Sequence, residues 1–563
     1  MGAQGDVSGK GGVWFDVARR TLRVADLVIR GGTIYDGSGG APVEGDVAIA
    51  NDTIAAVGDL KDWNGRDEVD AAGLAVAPGF VNMLSWATES LLEDGRAQSD
   101  VRQGVTLEVM GEGHSMGPLT DRMKEELEAQ SLLGHPIEWT TLAEYLELLE
   151  RRGVSPNVAS FVGSATVREH VIGADDRPPS ERELAQMLQL VVDAMREGAV
   201  GLAAALVYAP AFYAQTDELI ALARPAGLYV THLRSEGNAL LEALDEFITI
   251  VRSAGVRGEI YHLKASGRSN WHKLESMIER VEAEQAAGLE LTADMYTYPA
   301  GATGLDGAMP PWVQAGGFKA WRSRLLDPET RARVAAEMQA ETDEWENMFL
   351  LAGPENIRLL AFKNEALRPL TGRTLAEVAT ERGTSPAETA MDLVVEDRTR
   401  VGAAYFTMSE DNLRREIALP WVSFCSDSAA LAPEGRFLHW STHPRAYGSF
   451  ARVLGKYVRD ERVIPLEAAV RRLASLPAQT LRLDRRGLLQ PGYFADVVVF
   501  DPARVQDHAT FDEPHRYATG VRHVAVNGTL VLRDGEHTGA LPGRVVRGPL
   551  WSGDPSSAVA GQR

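Results

Sequence analysis

The sequence predicts an α/β protein: a (β/α)8, TIM-like barrel joined to a small β-sandwich domain formed by both chain ends, with an insertion before the last barrel strand. Three observations carry this. Over residues 78–485, apolar strand-like runs alternate with helical patterns, as βα units around a parallel sheet require. Eight such runs can be counted, which favours a closed barrel over an open sheet. The same short, Val/Ile-rich, Gly- and Asp-punctuated texture occurs at 25–77 and again at 486–545. Each end alone has too few strands to be stable, so the two are expected to pair.

The eight runs are LAVAPGFVNML, GVTLEVMG, NVASFVG, AVGLAAAL, LYVTHL, GEIYHLK, LELTADMY and WVSFCSD. Between them, stretches such as SERELAQMLQLVVDAMREG and ALLEALDEFITIVRSAG place apolar residues three and four apart, the helical period. The gap between the seventh and eighth runs is too long for an ordinary crossover, so residues 310–415 read as an insertion over the barrel mouth. Residues 1–24 and 546–563 read as an N-terminal mobile tail and a C-terminal tail.

Composition narrows the function classes. With 563 residues, 45% hydrophobic and 24% charged, the chain is globular and large enough for a barrel plus a satellite domain. A formal charge of −22 argues against nucleic-acid or anionic-membrane partners, which need a positive face. The stretch AVGLAAALVYAPAF is too short to span a bilayer, and MGAQGDVSGKGG lacks the apolar core of a secretory signal. The single cysteine, Cys425, excludes an internal disulfide framework and a multi-thiolate metal site. A cytoplasmic enzyme follows as the default, and self-association into a homo-oligomer stays open.

The chemistry is concentrated at strand ends. GLYVTHLRSEG ends its strand in His232 and GEIYHLKASG in His262, each with a cation two places on, Arg234 and Lys264. WVSFCSDS ends in Asp427. Two imidazoles and a carboxylate at the C-terminal tips of buried strands are how an α/β barrel assembles a metal-assisted hydrolase. Each also has a structural alternative, such as bonding to buried backbone or capping a helix. Cys425 points away from Ser426 on a strand of period two and is expected in the core.

DLVIRGGTIYDGSG, APGFV, QGVT, THLRSEG, YHLKASG, TADMYTYPAGATGL, SD followed by HPRAYGSFARVLG, and GLLQPGYFADVVVFD stand in order along the chain. In these motifs, from about Ala25 to Arg544, the chain resembles the N-acyl-D-amino-acid deacylases (D-aminoacylases) of the amidohydrolase superfamily. The resemblance implies a barrel with a β-sandwich, zinc, and hydrolysis of an amide next to a carboxylate. It also implies that Asp427 shuttles the proton of the attacking water.

Two motifs depart from the family pattern, and both touch the metal. Where the family has His-x-His after the first barrel strand, PGFVNMLSWA places Leu84 and Trp86, which argues against a second ion there. Where the family has a cysteine ligand after the second strand, the turn reads MGEGHSMGP, one residue shorter. One alignment puts Glu112 in the cysteine's place; another puts Gly113 there and leaves His114 as the stand-in. The expectation is therefore one Zn2+ held by Glu112, His232 and His262, with a fourth position open, an accepted catalytic set. Lys264, Tyr296 and Arg445 near the same rim are expected to bind the substrate carboxylate. Ala302 stands where the family often has a hydroxyl, and Trp86 and Leu84 can wall the pocket floor.

The resulting reading is a metal-dependent amidohydrolase cleaving a linear amide in an N-acyl amino acid, of D configuration if the resemblance extends that far. Its partner would be a small carboxylate-bearing amide. Two alternatives remain open at this level: the same metal site acting on a cyclic amide, lactone or dipeptide, and a metal-free barrel that binds a ligand without catalysis.

Overall fold

The computed structural model describes residues 23–552. The tail expected at 1–24 therefore lies outside the described residues up to position 22, as does the C-terminal tail from position 553. The N-terminal end forms β1 (Arg23–Ile34), β2 (Val43–Ala50), β3 (Thr53–Gly58), β4 (Trp63–Asp70) and β5 (Ala75–Pro78). The central strands are β6 (Phe80–Ser85), β7 (Val105–Met110), β8 (Asn157–Ser160), β9 (Val162–Gly163), β10 (Leu202–Ala205), β11 (Leu228–His232), β12 (Arg257–Ile260) and β13 (Leu291–Ala293). Three short strands follow, β14 (Gly301–Gly304), β15 (Ile357–Ala361) and β16 (Gly402–Tyr405). The chain closes with β17 (Val497–Phe500), β18 (Val521–Val526), β19 (Thr529–Arg533) and β20 (Glu536–His537).

Both chain ends enter one nine-stranded sheet, in the order β20-β19-β18-β17-β5-β1-β2-β3 with β4 added on β1. The join is β17 against β5, an antiparallel pair in which Val498 faces Ala77. Alternating residues such as Leu27, Ile29, Val47, Ile49, Val497 and Val499 make a core on one face of it.

The central strands are parallel and fall into two sheets, β6-β7-β8 and β13-β12-β11-β10-β9. The expected third strand is split at Phe161: β8 pairs with β7, whereas β9 pairs with β10. The eighth run is irregular but bonded on both sides. Ala293 pairs with Val422 and Ser85 with Ser428, both parallel. Met295 N–H donates to Ser423 O and Asp427 N–H to Leu84 O. Residues 422–428 thus lie between β13 and β6. The strands are buried on both faces, so they read as apolar runs without alternation. Helix Glu181–Glu197 shows how the flanking helices are specified: Ser180 and Glu183 form a capping box, Met187, Val191, Ala194 and Met195 face the core, and Gly198 ends it in the left-handed region.

The long segment before the eighth run carries its own core, including Leu305, Val313, Trp321, Val334, Ile357 and Met391. Its strands β14, β16 and β15 make a small antiparallel sheet. Among the described residues, no helix is long and apolar enough to cross a membrane.

Candidate metal centre and active site

Glu112, His232 and His262 converge at the C-terminal ends of β7, β11 and β12. Their ligand atoms all lie within 4.8 Å of one another, and the three side chains are buried. Glu112 Oε1 is the common vertex, 3.1 Å from His262 Nε2 and 3.5 Å from His232 Nδ1. Glu112 projects from a turn built by two glycines. Gly111 has φ 106°, and a Cβ there would lie 2.5 Å from Phe161 O. Gly113 has φ 62°, and its Cβ would lie 2.8 Å from that of Ala205. Only a residue without a side chain fits at 113, so this position supplies no ligand. His114 turns away, 3.7 Å from Glu169 and partly exposed. Glu112 therefore stands at the vertex.

The outer nitrogens share one carboxylate that sequence reasoning missed. Glu236 lies 3.0 Å from His262 Nδ1 and 3.3 Å from His232 Nε2. Each imidazole so has one nitrogen turned to Glu112 and one near Glu236, which approaches the carboxylate–histidine arrangement that orients metal ligands, although His232 Nε2 makes no hydrogen bond there. Lys264 Nζ donates to both oxygens of Glu236, at 2.7 and 2.8 Å. Nζ also lies 2.7 Å from His262 Nδ1. If Nε2 is to present a lone pair to a cation, Nδ1 must carry its hydrogen and give it to Glu236, and Lys264 then serves Glu236 alone. The signal for Glu236 was present in THLRSEG, in the need of two outer nitrogens for an acceptor. A further carboxylate, Glu346 of the inserted segment, accepts from the Glu236 N–H and ties that segment to the site.

His262 and Asp427 both adopt left-handed backbone, at φ 34° and 47°. For residues with a Cβ this costs about 1–3 kcal/mol each and persists only where neighbours enforce it. Asp294 Oδ1 accepts the His262 N–H at 2.7 Å, and Leu84 O accepts that of Asp427 at 3.0 Å. Both kinks occur where a strand tip must aim a side chain into the mouth.

Asp427 is buried, with Oδ2 2.8 Å from Arg445 Nη1. Its Oδ1 and Glu112 Oε2 both lie near Trp86 Nε1, at 3.2 and 3.1 Å. Arg445 Nη2 donates to Ala302 O at 3.3 Å. Its Nε and Nη1 lack a hydrogen-bond acceptor, the contact to Asp427 being close but out of alignment. The Arg445 guanidinium stacks over Tyr296, 4.5 Å from the ring centre. Lys264 lies 5.6 Å from the same ring. Tyr298 instead bonds Asp507 at 3.4 Å. His443 is buried between Ala300 O and the Arg445 N–H. His439 is exposed, and Cys425 is a buried free thiol. Glu112, His232, His262, Lys264, Tyr296, Asp427 and Arg445 all line one cavity of about 720 Å3, which also touches Trp86, Tyr208 and Arg400.

Electrostatics sort the group. Burial alone would raise the Glu112 carboxyl, but bonds from His232 and His262 outweigh it and hold the group well below the usual range. Burial likewise opposes the Glu236 charge, yet His232, Lys264 and His262 keep it ionised. Burial lowers His232. In His262 burial and Lys264 act downward, but Glu236 and Glu112 prevail and push it up to about 10. Burial raises Asp427 against the pull of Arg445.

The donor set fits a borderline cation: two imidazoles and one ionised carboxylate, with Glu236 beside the outer nitrogen of His262 and close to, but out of alignment with, that of His232. Residues 112, 232 and 262 would hold it. At neutral pH His262 carries a proton that a cation must displace, while Glu112 and His232 do not. Cation binding is therefore expected to release about one proton near neutrality, and affinity is expected to rise with pH towards the His262 value of about 10. Calorimetry in buffers of different ionisation enthalpy counts that proton, and a count of zero would contradict the assignment.

Comparison with known proteins gives the family. Residues 67–532 match the amidohydrolase family, and the chain belongs to that family and so is a metal-dependent hydrolase. The D-aminoacylase of Alcaligenes xylosoxydans xylosoxydans is 34% identical over 526 residues, covering 92% of this chain and 97% of that protein. The N-acyl-D-glutamate deacylase of the same organism is 32% identical, covering 93% and 96%. A crystal structure of D-aminoacylase superposes with a TM-score of 0.77 at 33% identity, covering 93% of this chain and all of that one. The N-acyl-D-glutamate deacylase of Bordetella bronchiseptica, solved with zinc and a phosphonate inhibitor, gives 0.77 at 30% identity, again over 93% and 100%.

Proposed function

We propose that this protein is a zinc-dependent deacylase of N-acyl-D-amino acids, cleaving a linear amide beside a free carboxylate with a single ion. The observation that carries the reading is the convergence of Glu112, His232 and His262 in the cavity that also holds Asp427 and the under-satisfied Arg445. The names of the similar proteins support the substrate class. We read the parallel strands as a (β/α)8 barrel (residues 78–485), with 310–415 as its inserted cover. Residues 25–77 and 486–545 then form the small β domain.

A zinc ion held there would polarise the scissile carbonyl and make water acidic enough to attack near neutral pH. Asp427 takes the proton of the attacking water and returns it to the leaving nitrogen. Its neighbours leave it room to do so: Trp86 holds one oxygen, and the Arg445 contact at the other is out of alignment. Arg445, with Tyr296 behind it, offers two N–H groups to the substrate carboxylate, and Lys264 adds positive potential nearby. Formal charges agree with one ion: Lys264 offsets Glu236 and Arg445 offsets Asp427. A divalent ion against Glu112 then leaves a single positive charge to meet a monoanionic substrate.

A panel of N-acyl-D- and N-acyl-L-amino acids, cyclic imides, lactones and dipeptides tests the reading. Turnover confined to N-acyl-D-amino acids is expected; turnover of only cyclic substrates, or none with zinc present, overturns it. Arg445→Met is expected to lower kcat/KM about 10- to 100-fold, the worth of a lost charged hydrogen bond. The loss should fall on KM through the substrate carboxylate and on kcat through Asp427, whose charge Arg445 favours, and steady-state kinetics separates the two constants.

A further inference from the structure

The carboxylates of Glu112 and Asp427 reach the site from different strands, and one side chain touches both. Trp86 Nε1 lies 3.1 Å from Glu112 Oε2 and 3.2 Å from Asp427 Oδ1. The other oxygens face elsewhere: Glu112 Oε1 the two imidazoles and Asp427 Oδ2 the Arg445 guanidinium. The backbone that carries the indole is held in place, while the ring itself stays partly exposed. The Trp86 N–H donates to Ser428 O at 2.9 Å, and the Asp427 N–H to Leu84 O at 3.0 Å, so the backbones on either side of the two residues are bonded to each other.

We propose that Trp86 is a positioning residue whose indole N–H binds Glu112 and Asp427 together, leaving Glu112 only Oε1 for the ion and closing the gap between the two carboxylates to a second cation. Indole nitrogen is a donor and never a ligand. The space between two carboxylates is otherwise where a second divalent cation would bind, and an N–H pointing into it repels a cation. Held at Oε2, Glu112 is a one-oxygen ligand with a fixed direction. Held at Oδ1, Asp427 stays beside the ion without joining its ligands. The inference rests on the metal reading above and adds the source of its stoichiometry.

The test compares the wild-type protein with Trp86→Phe, which keeps an aromatic ring and removes the donor. Three readouts apply: zinc affinity against a competing chelator, ions bound per chain at tenfold excess zinc, and the visible spectrum of the cobalt-substituted protein. The wild type is expected to hold one ion even in excess zinc. Trp86→Phe is expected to release zinc about 10- to 100-fold more readily, as loss of a ligand's outer hydrogen bond does, to take up a second ion in excess, and to change the cobalt spectrum. The thermal midpoint of the metal-free variant should match that of the wild type. One ion, wild-type affinity and an unchanged spectrum in Trp86→Phe would overturn this inference alone. Two ions in the wild type would overturn it whether or not the variant folds. A wild type that binds no zinc would remove the metal reading and this inference with it.

Discussion

Asp427→Asn is expected to lower kcat by about three orders of magnitude while the zinc content stays at the wild-type level. Proton transfer by a positioned group contributes about 10²- to 10⁴-fold, and asparagine keeps the shape of aspartate without its basicity. The carbonyl oxygen of the amide can still accept from Trp86, so the contact through the indole survives. The amide nitrogen would then face Arg445 in place of an anionic oxygen, which removes an ion pair but leaves the three candidate ligands untouched. Metal analysis beside kcat distinguishes this from simple unfolding. Full turnover in the variant would remove Asp427 from the mechanism.

Glu112→Ala is expected to abolish both zinc retention and activity. The carboxylate is the vertex shared by His262 and His232, and without it two buried imidazoles face each other with no anion between them. Two neutral ligands hold a divalent ion far less firmly than a set that includes an anion, and three protein ligands are the usual minimum of a catalytic zinc site. Glu112→Gln keeps the shape but loses the charge, so partial retention is expected. Glu112→Cys restores an anionic ligand, but on a shorter side chain. Recovery of zinc in the cysteine variant and not in the alanine variant, read by metal analysis after dialysis, would show that position 112 is a ligand. Wild-type zinc content in Glu112→Ala would exclude it.

Much of this site was legible because parallel strands buried on both faces read as apolar runs, and a polar residue that closes such a run must lie at a tip. His232 and Asp427 are placed this way, and His262 follows its strand by two residues. Glu112 was reachable only through the MGEGHSMGP turn, and two alignments of it remained open. In the structure the Glu112 carboxylate lies beside both imidazoles, whereas His114 lies beside Glu169. Glu236 escaped notice because loop geometry, not periodicity, brings it to His232 and His262, and Asp294 because its bond to the His262 backbone joins neighbouring strands. Trp86 was legible as a departure from His-x-His, and its position suggested packing. That its N–H spans two carboxylates depends on residues 26 and 341 positions away, which no local pattern encodes. The split of the third strand at Phe161 was hidden inside NVASFVG, a run that reads as continuous. The small sheet of the inserted segment was represented in the sequence only by IRLLAF, since its partner strands are rich in Gly and Ala.

The central claim is that side chains from three strands meet on one divalent ion while a fourth presents the proton carrier. A crystal of the zinc-loaded protein measured on both sides of the zinc absorption edge tests it directly. One anomalous peak per chain is expected, within bonding distance of Glu112 Oε1, His232 Nδ1 and His262 Nε2, with Asp427 beside it. A peak that does not touch Glu112, two peaks in the same cavity, or no peak at all would contradict it.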